Sequence, residues 1–205
     1  GGNTPDIVKA SVDIQSFGAE GITVHPRPDE RHIRYKDVID LLPTIKTEFN
    51  IEGNPTEQFV ELVLRAHPTQ VTLVPDAPDA ITSNAGWNTR DNFDFLKSII
   101  ERLREAGIRS SIFVDADVEM VEYAAKIGAD RIELYTEPYA AGYAQDREAA
   151  IAPFVEAAKA AKRLGVSVNA GHDLNLENLE YFIRMIPWTA EVSIGHAVIC
   201  DALYM

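Results

Sequence analysis

Two periods of apolar spacing alternate along this chain. Short runs rich in β-branched and apolar residues occur at 21–25, 50–53, 70–74, 109–114, 131–135, 166–170 and 191–194, and each reads as a strand. Between them apolar residues recur three and four positions apart, the spacing of an amphipathic helix. Asn3 or Thr4 can cap a first helix, with Pro5 in its first turn and Ile7, Val8, Ala10, Val12, Ile14 and Phe17 on its apolar face. A second helix is predicted over 35–49, with Pro43 able to break or kink it. Thr56 caps the next, Thr89 caps a helix over 90–106, and Asp117 caps one over 118–127. A loop at 138–146 precedes an Ala-rich helix that runs through Leu164, and a shorter helix covers 176–185.

The junctions repeat. Phe17-Gly18-Ala19-Glu20-Gly21-Ile22, Ala106-Gly107-Ile108, Ile127-Gly128-Ala129-Asp130-Arg131-Ile132 and Leu164-Gly165-Val166 each end a helix on Gly and start a strand. Such a unit, repeated at roughly 20–40 residues, implies parallel strands joined by right-handed crossovers. The expected fold is an α/β (β/α)8 TIM barrel formed as one domain over 1–205. In this chain it lacks its first strand and most of its last helix, because seven strands follow an opening helix and the chain stops within a helical pattern at 201–205. A doubly wound sheet is the competing fold, but no G-x-G-x-x-G or G-x-x-x-x-G-K fingerprint is present.

Composition narrows the partners. A net charge of −13 over 205 residues disfavours nucleic acid and anionic membranes, and any phosphate ligand needs local donors to overcome that field. The single cysteine, Cys200, forms no internal disulfide, fits a reducing cytoplasm, and reads as a small buried apolar group. No apolar run approaches the ~20 residues of a membrane helix.

In a barrel the reactive groups sit at the carboxyl ends of the strands. The groups at those positions here are His25, Glu52, Glu133, His172 and His196. Histidines with carboxylates on one face support proton transfer. A metal held by His25, His172, His196 and Glu133 is the alternative use, but no H-x-H or H-E-x-x-H spacing favours it. His67, in Ala66-His67-Pro68, reads as a surface or helix-cap residue. Anion donors gather after the first strand, where Pro26 and Pro28 exclude ladder pairing and Arg27, Arg31, His32 and Arg34 follow. A second set is the helix start at Gly195-His196. The loop Thr82-Ser83-Asn84-Ala85-Gly86-Trp87 adds hydroxyls and an aromatic residue that could serve as a lid or pack on a neighbouring subunit. Two anion sites beside acid–base groups point to small phosphorylated substrates.

The stretch 21–33, GITVHPRPDERHI, together with Asn169-Ala170-Gly171-His172 and Ile194-Gly195-His196-Ala197, resembles the pyridoxine 5'-phosphate synthase family of vitamin B6 biosynthesis. Asn50-Ile51-Glu52, Leu73-Val74-Pro75, Ser111-Ile112-Phe113-Val114-Asp115-Ala116-Asp117 and Ile132-Glu133-Leu134-Tyr135-Thr136 fall in the same order, so the likeness spans the chain. The resemblance implies a cytoplasmic transferase, a homo-oligomer (an octamer in the family), with no metal or organic cofactor. It would condense 1-deoxy-D-xylulose 5-phosphate with 3-amino-2-oxopropyl phosphate. It also implies roles: His25 and Glu52 as proton acceptors, His172 as proton donor and Glu133 as a further catalytic carboxylate. Arg27, His32 and Thr82 would hold the sugar phosphate, and Gly195 and His196 the amine substrate. Arg31 and Arg34 are left to surface ion pairs. Two departures stand out. The family's Asn-rich first strand and a following Arg would precede Gly1, and Asp173 stands where many relatives have Gly, so it receives no role. The alternatives are another phosphosugar isomerase, epimerase or aldolase barrel, and a barrel that binds a phosphorylated ligand without turnover. A Schiff-base aldolase is disfavoured because no strand ends in Lys.

Overall fold

The computed structural model describes residues 5–76 and 83–204. Within them strands and helices alternate, and they divide into two compact units: one of residues up to 84 with 101–110, the other of 85–100 with 111 onward.

The first unit carries α1 (Ile7–Ser16), β1 (Gly21–Val24), α2 (Tyr35–Leu41), β2 (Glu48–Gly53), α3 (Glu57–Ala66) and β3 (Gln70–Leu73). Its strands are parallel in the order β1-β2-β3, with Thr23 beside Asn50 and Glu52 beside Thr72. The cap of α1 is Asp6, whose carboxylate accepts the Lys9 N–H at 3.0 Å. The expected caps Asn3 and Thr4 lie outside the described residues. The predicted 35–49 helix is cut short. It ends at Leu41, ahead of Pro43, and Glu48 and Phe49 join β2 instead. Pro43 has no N–H to extend the helix, which leaves the following residues free to pair as a strand. Thr56 caps α3 through the Phe59 N–H at 3.3 Å, as its sequence position predicts. His67 closes the same helix in a left-handed turn (φ 50°), exposed, with its ring Nε2 2.7 Å from the Ala106 carbonyl.

Across the division run α4 (Phe93–Glu105) and β4 (Arg109–Val114). Thr89 does not cap α4. It is buried, and its hydroxyl donates to the Met120 carbonyl at 2.7 Å, while Asn88 accepts the Asp91 N–H at 3.0 Å at the turn before the helix.

The second unit adds α5 (Val118–Ile127), β5 (Arg131–Tyr135), α6 (Glu137–Leu164), β6 (Ser167–Gly171), α7 (Leu179–Met185), β7 (Thr189–Ser193) and α8 (His196–Tyr204). Its strands are parallel in the order β4-β5-β6-β7, with Phe113, Glu133 and Asn169 in register. Asp117 caps α5, and Gly128 and Gly165 end α5 and α6 in the left-handed region. The loop expected at 138–146 is helical. Pro138 sits in the first turn of α6, where its missing N–H costs nothing, and the chain breaks only at Asp146. The Asp146 carboxylate accepts the N–H groups of Glu148 and Ala149, so it caps the second stretch of α6. None of α8 is buried, and Cys200 on it is only half-buried rather than a core residue.

Both units secure the amino ends of their strands with an Arg. Arg109 donates to Gln70 at 2.9 Å and pairs with Glu48; Arg131 donates to Asn169 at 3.1 Å and to Glu191 at 2.8 Å. Tyr139, fully buried at the start of α6, fixes α7 beside it. Its ring meets Phe154 and Phe182 edge-on at 5.9 and 5.4 Å, and its hydroxyl donates to the Asn178 carbonyl at 2.7 Å. Burial pushes the pKa of this hydroxyl up. Replacing Tyr139 with Phe keeps the ring and strands the buried carbonyl. The expected loss is about 1–3 kcal/mol in urea unfolding, with an unchanged folded-state circular dichroism spectrum.

Candidate active site

Strand β1 alternates exposed and buried residues, and the chain leaves it at His25. Pro26 follows, has no N–H to donate, and ends the ladder. The His25 side chain is about one-fifth exposed and is flanked by carboxylates on both ring nitrogens: Glu52 Oε2 lies 3.7 Å from Nδ1 and Asp76 Oδ2 lies 3.2 Å from Nε2. Glu52 belongs to β2 and is oriented by a chain of neutral groups. The Thr72 hydroxyl donates to Asn50 at 3.1 Å, and the Asn50 amide donates to Glu52 at 3.3 Å. Asp76 meets Nε2, and Nδ1 is turned toward Glu52.

Asp76 is the residue that sequence reasoning missed. It lies just beyond β3, after Val74-Pro75. Its carboxylate takes Arg27 at 2.6 Å, His25 at 3.2 Å and the Ser83 hydroxyl at 3.2 Å, and Asn54 donates to its backbone carbonyl. Burial works to raise the pKa of this acid. The hydrogen bond and charge of His25, the charge of Arg27 and the Ser83 hydroxyl outweigh it, so the carboxyl is held below its ordinary value. The available signal was positional: an acid directly beyond an apolar strand, as His25 is beyond β1.

Arg27 is therefore oriented by Asp76 through one guanidinium nitrogen, and its side chain is 11% exposed. His32 sits exposed in the following loop. Arg31 pairs with Asp29 at 3.5 Å as a surface ion pair, as expected, whereas Arg34 grips a buried partner, Asp37, through several contacts of 2.6–3.2 Å at the start of α2. Thr82 lies outside the described residues.

In the second unit Glu133 stands on β5, 3% exposed. It lies against the backbone of Gly171 on β6: a Cβ there would come 2.2 Å from Glu133 Oε1, so glycine is required while the carboxylate keeps this position. His172 follows Gly171 immediately. Its Nδ1 is 2.6 Å from the Asp173 carboxylate, and its ring stands edge-on to Tyr135 with centroids 5.1 Å apart. Burial, then the negative charges of Glu137, Asp173 and Asp115, hold the Tyr135 hydroxyl above its ordinary pKa and keep it protonated. Asp173, which the sequence left without a role, turns its carboxylate to its neighbour's ring. Gly195 and His196 are exposed at the start of α8, where the first N–H groups of the helix lack intrahelical acceptors. Trp87 is neither lid nor surface contact. It is buried, tilted against Phe95 at 6.1 Å, and its backbone N–H donates to the Phe113 carbonyl at 2.8 Å. Gly86 permits this, since a Cβ there would lie 2.2–2.5 Å from the backbone of Val114 and Asp115.

Among the described residues no group of three or more His, Cys, Asp or Glu side chains is gathered as a metal site, and no helix is long and apolar enough to cross a membrane.

Residues 1–205 match the family described as "Pyridoxal phosphate biosynthesis protein PdxJ" over their whole length. The chain belongs to this family. Curated members named "Pyridoxine 5'-phosphate synthase" are similar throughout: 66% identical in Parabacteroides distasonis, 65% in Bacteroides fragilis and 58% in Porphyromonas gingivalis, each covering all of this chain and 86% of the relative. Among solved structures, a phosphoribosyl anthranilate isomerase (TM-score 0.60, 93% of this chain and 82% of that one) and a HpcH/HpaI aldolase/citrate lyase family protein from Burkholderia cenocepacia (TM-score 0.63, 98% and 89%) are each 16% identical. At that identity they speak for the fold alone. The fold is of the α/β TIM-barrel class, as the strand–helix alternation implied.

The Asp76 pairing yields a pH test. An acid whose folded pKa is depressed adds stability that is complete above its unfolded pKa, about 4, and disappears as pH falls through the folded value. Asp76→Asn leaves Arg27 without its partner and is expected to cost about 3 kcal/mol at pH 7. In urea unfolding from pH 7 to pH 2, the gap between wild type and variant should narrow only below about pH 4. A gap that is constant down to pH 2 contradicts the pairing.

Proposed function

We propose that this chain is a pyridoxine 5'-phosphate synthase. It condenses 1-deoxy-D-xylulose 5-phosphate with 3-amino-2-oxopropyl phosphate, giving pyridoxine 5'-phosphate, one inorganic phosphate and two waters. The observation that carries the reading is the family match over the whole chain, which includes His25, Glu52, Glu133 and His172. The local chemistry supports it: each of the two histidines has one ring nitrogen occupied by an aspartate, and Glu52 and Glu133 are held on strands.

The amine adds to the ketone of the sugar phosphate, and water leaves as the imine forms. Glu52 or His25 then removes a carbon-bound proton. The electron pair forms an enol, water leaves from C4 of the sugar, its C5 phosphate is expelled, and one water adds at C5 to leave a hydroxymethyl group. C4 then closes on the ketone of the amine substrate, which keeps its phosphate, and His172 protonates the hydroxyl that departs in the last dehydration; three waters leave and one is taken up, which gives the net two. Glu133 stabilises charge as these steps develop. Arg27, His32 and Thr82 hold the sugar phosphate, and Gly195 with His196 holds the amine substrate through the start of α8. The enzyme works in the cytoplasm as a homo-oligomer.

Incubating the protein with both phosphates should yield pyridoxine 5'-phosphate and one equivalent of inorganic phosphate; saturating substrates without product overturn the proposal. In Glu52→Gln and His172→Gln, kcat should fall by about 100-fold or more, as removal of a general acid or base does, with much smaller changes in KM. Unchanged turnover in either variant removes that residue from the mechanism.

A further inference from the structure

We propose that Asp173 is a positioning residue for His172, fixing the ring so that Nε2 is the nitrogen through which a proton is exchanged. The proposal rests on the acid role given to His172 above.

The backbone at His172 and Asp173 is left-handed, with φ of 96° and 58°. Few residues with side chains adopt this region. The corner is held in that shape by groups other than the Asp173 carboxylate. Thr136 donates to the Gly171 carbonyl from its N–H at 3.0 Å and from its hydroxyl at 2.8 Å, and the same hydroxyl reaches the His172 carbonyl at 2.5 Å. The Asn178 amide donates to the Asp173 carbonyl at 3.2 Å. The carboxylate is thus not spent on making the turn, and it closes on His172 Nδ1 at 2.6 Å.

That contact decides the chemistry of the ring. A carboxylate accepts only, so Nδ1 must carry a hydrogen. In the neutral ring this leaves the lone pair on Nε2, and in the charged ring it leaves Nε2–H as the proton to be given. Tyr135, edge-on to the ring, restricts its rotation from the β5 side. Removing the carboxylate frees both tautomers and leaves the Nε2 lone pair available in only part of the neutral rings. His25 carries the opposite assignment, since Asp76 occupies its Nε2 and leaves Nδ1 for Glu52. Neighbouring aspartates therefore set the two histidines to present different nitrogens.

The test combines tautomer and turnover. Long-range proton–nitrogen correlation spectra of histidine-labelled protein, with His172 assigned by its loss in His172→Gln, should show Nδ1–H in the neutral ring of the wild type. Asp173→Ala should shift His172 toward Nε2–H. Its kcat for the condensation should fall by about 10-fold or more while KM stays within about 3-fold. Asp173→Asn accommodates the left-handed backbone and can accept from Nδ1–H through its amide oxygen, so it should keep the tautomer and recover part of the rate. It also covers the case in which the alanine variant folds poorly. A wild-type Nε2–H tautomer, or an alanine variant that retains either Nδ1–H or full kcat, overturns the proposal. If the wild type forms no pyridoxine 5'-phosphate, the synthase reading fails, and the ring-nitrogen spectra still decide whether Asp173 sets the tautomer.

Discussion

A charged group carried on or beside a buried strand is tolerated only where opposite charge or donors meet it. That constraint organises both units of this protein. At the amino ends of the strands it is met by Arg109 with Glu48 and by Arg131 with Glu191. At the carboxyl ends it is met by Asp76 with Arg27 and His25, and by the Thr72–Asn50–Glu52 chain. The first set holds strands in register. The second set holds reactive side chains in one orientation, which is the precondition for acid–base chemistry.

Two aspartates change how the histidines are understood. Without them, His25 and His172 are two imidazoles at strand ends with interchangeable ring nitrogens. With Asp76 on one Nε2 and Asp173 on the other Nδ1, each ring has a defined free face. Arg27 is likewise prepared rather than free. Asp76 fixes one of its nitrogens, and the side chain is largely buried.

The packing of Gly171 on Glu133 ties fold to function in a different manner. Glu133 and Gly171 come from adjacent strands, and the carboxylate occupies the space where any side chain at 171 would go. The Gly171-His172 pair is thus a steric unit: the glycine admits the acid, and the next residue delivers the histidine. Gly86 plays the corresponding backbone role below Trp87, whose burial removes it from any lid.

Much of this architecture was legible in the residues. Period-two and period-3.6 spacing marked the strands and helices, and glycines marked the helix ends at 128 and 165; of the side chains read as strand tips, His25, Glu52 and His172 stand at strand ends, while Glu133 lies mid-strand on β5 and His196 opens α8. These features are local, because they follow from what each segment can bury and how it can end. Helix limits at Pro43, Thr89 and Asp146 were misjudged where a tertiary contact or a cap two or three residues along competed with propensity. The sequence by itself determined which side chains stand at the carboxyl ends of the strands, since chain direction and pleat settle that. Only the tertiary structure decided what those side chains meet. Arg27 and Asp76 are 49 positions apart, and no local pattern states that they share a bond. Asp173 is adjacent to His172, yet its direction depends on a left-handed corner pinned by Thr136 and Asn178 from other segments.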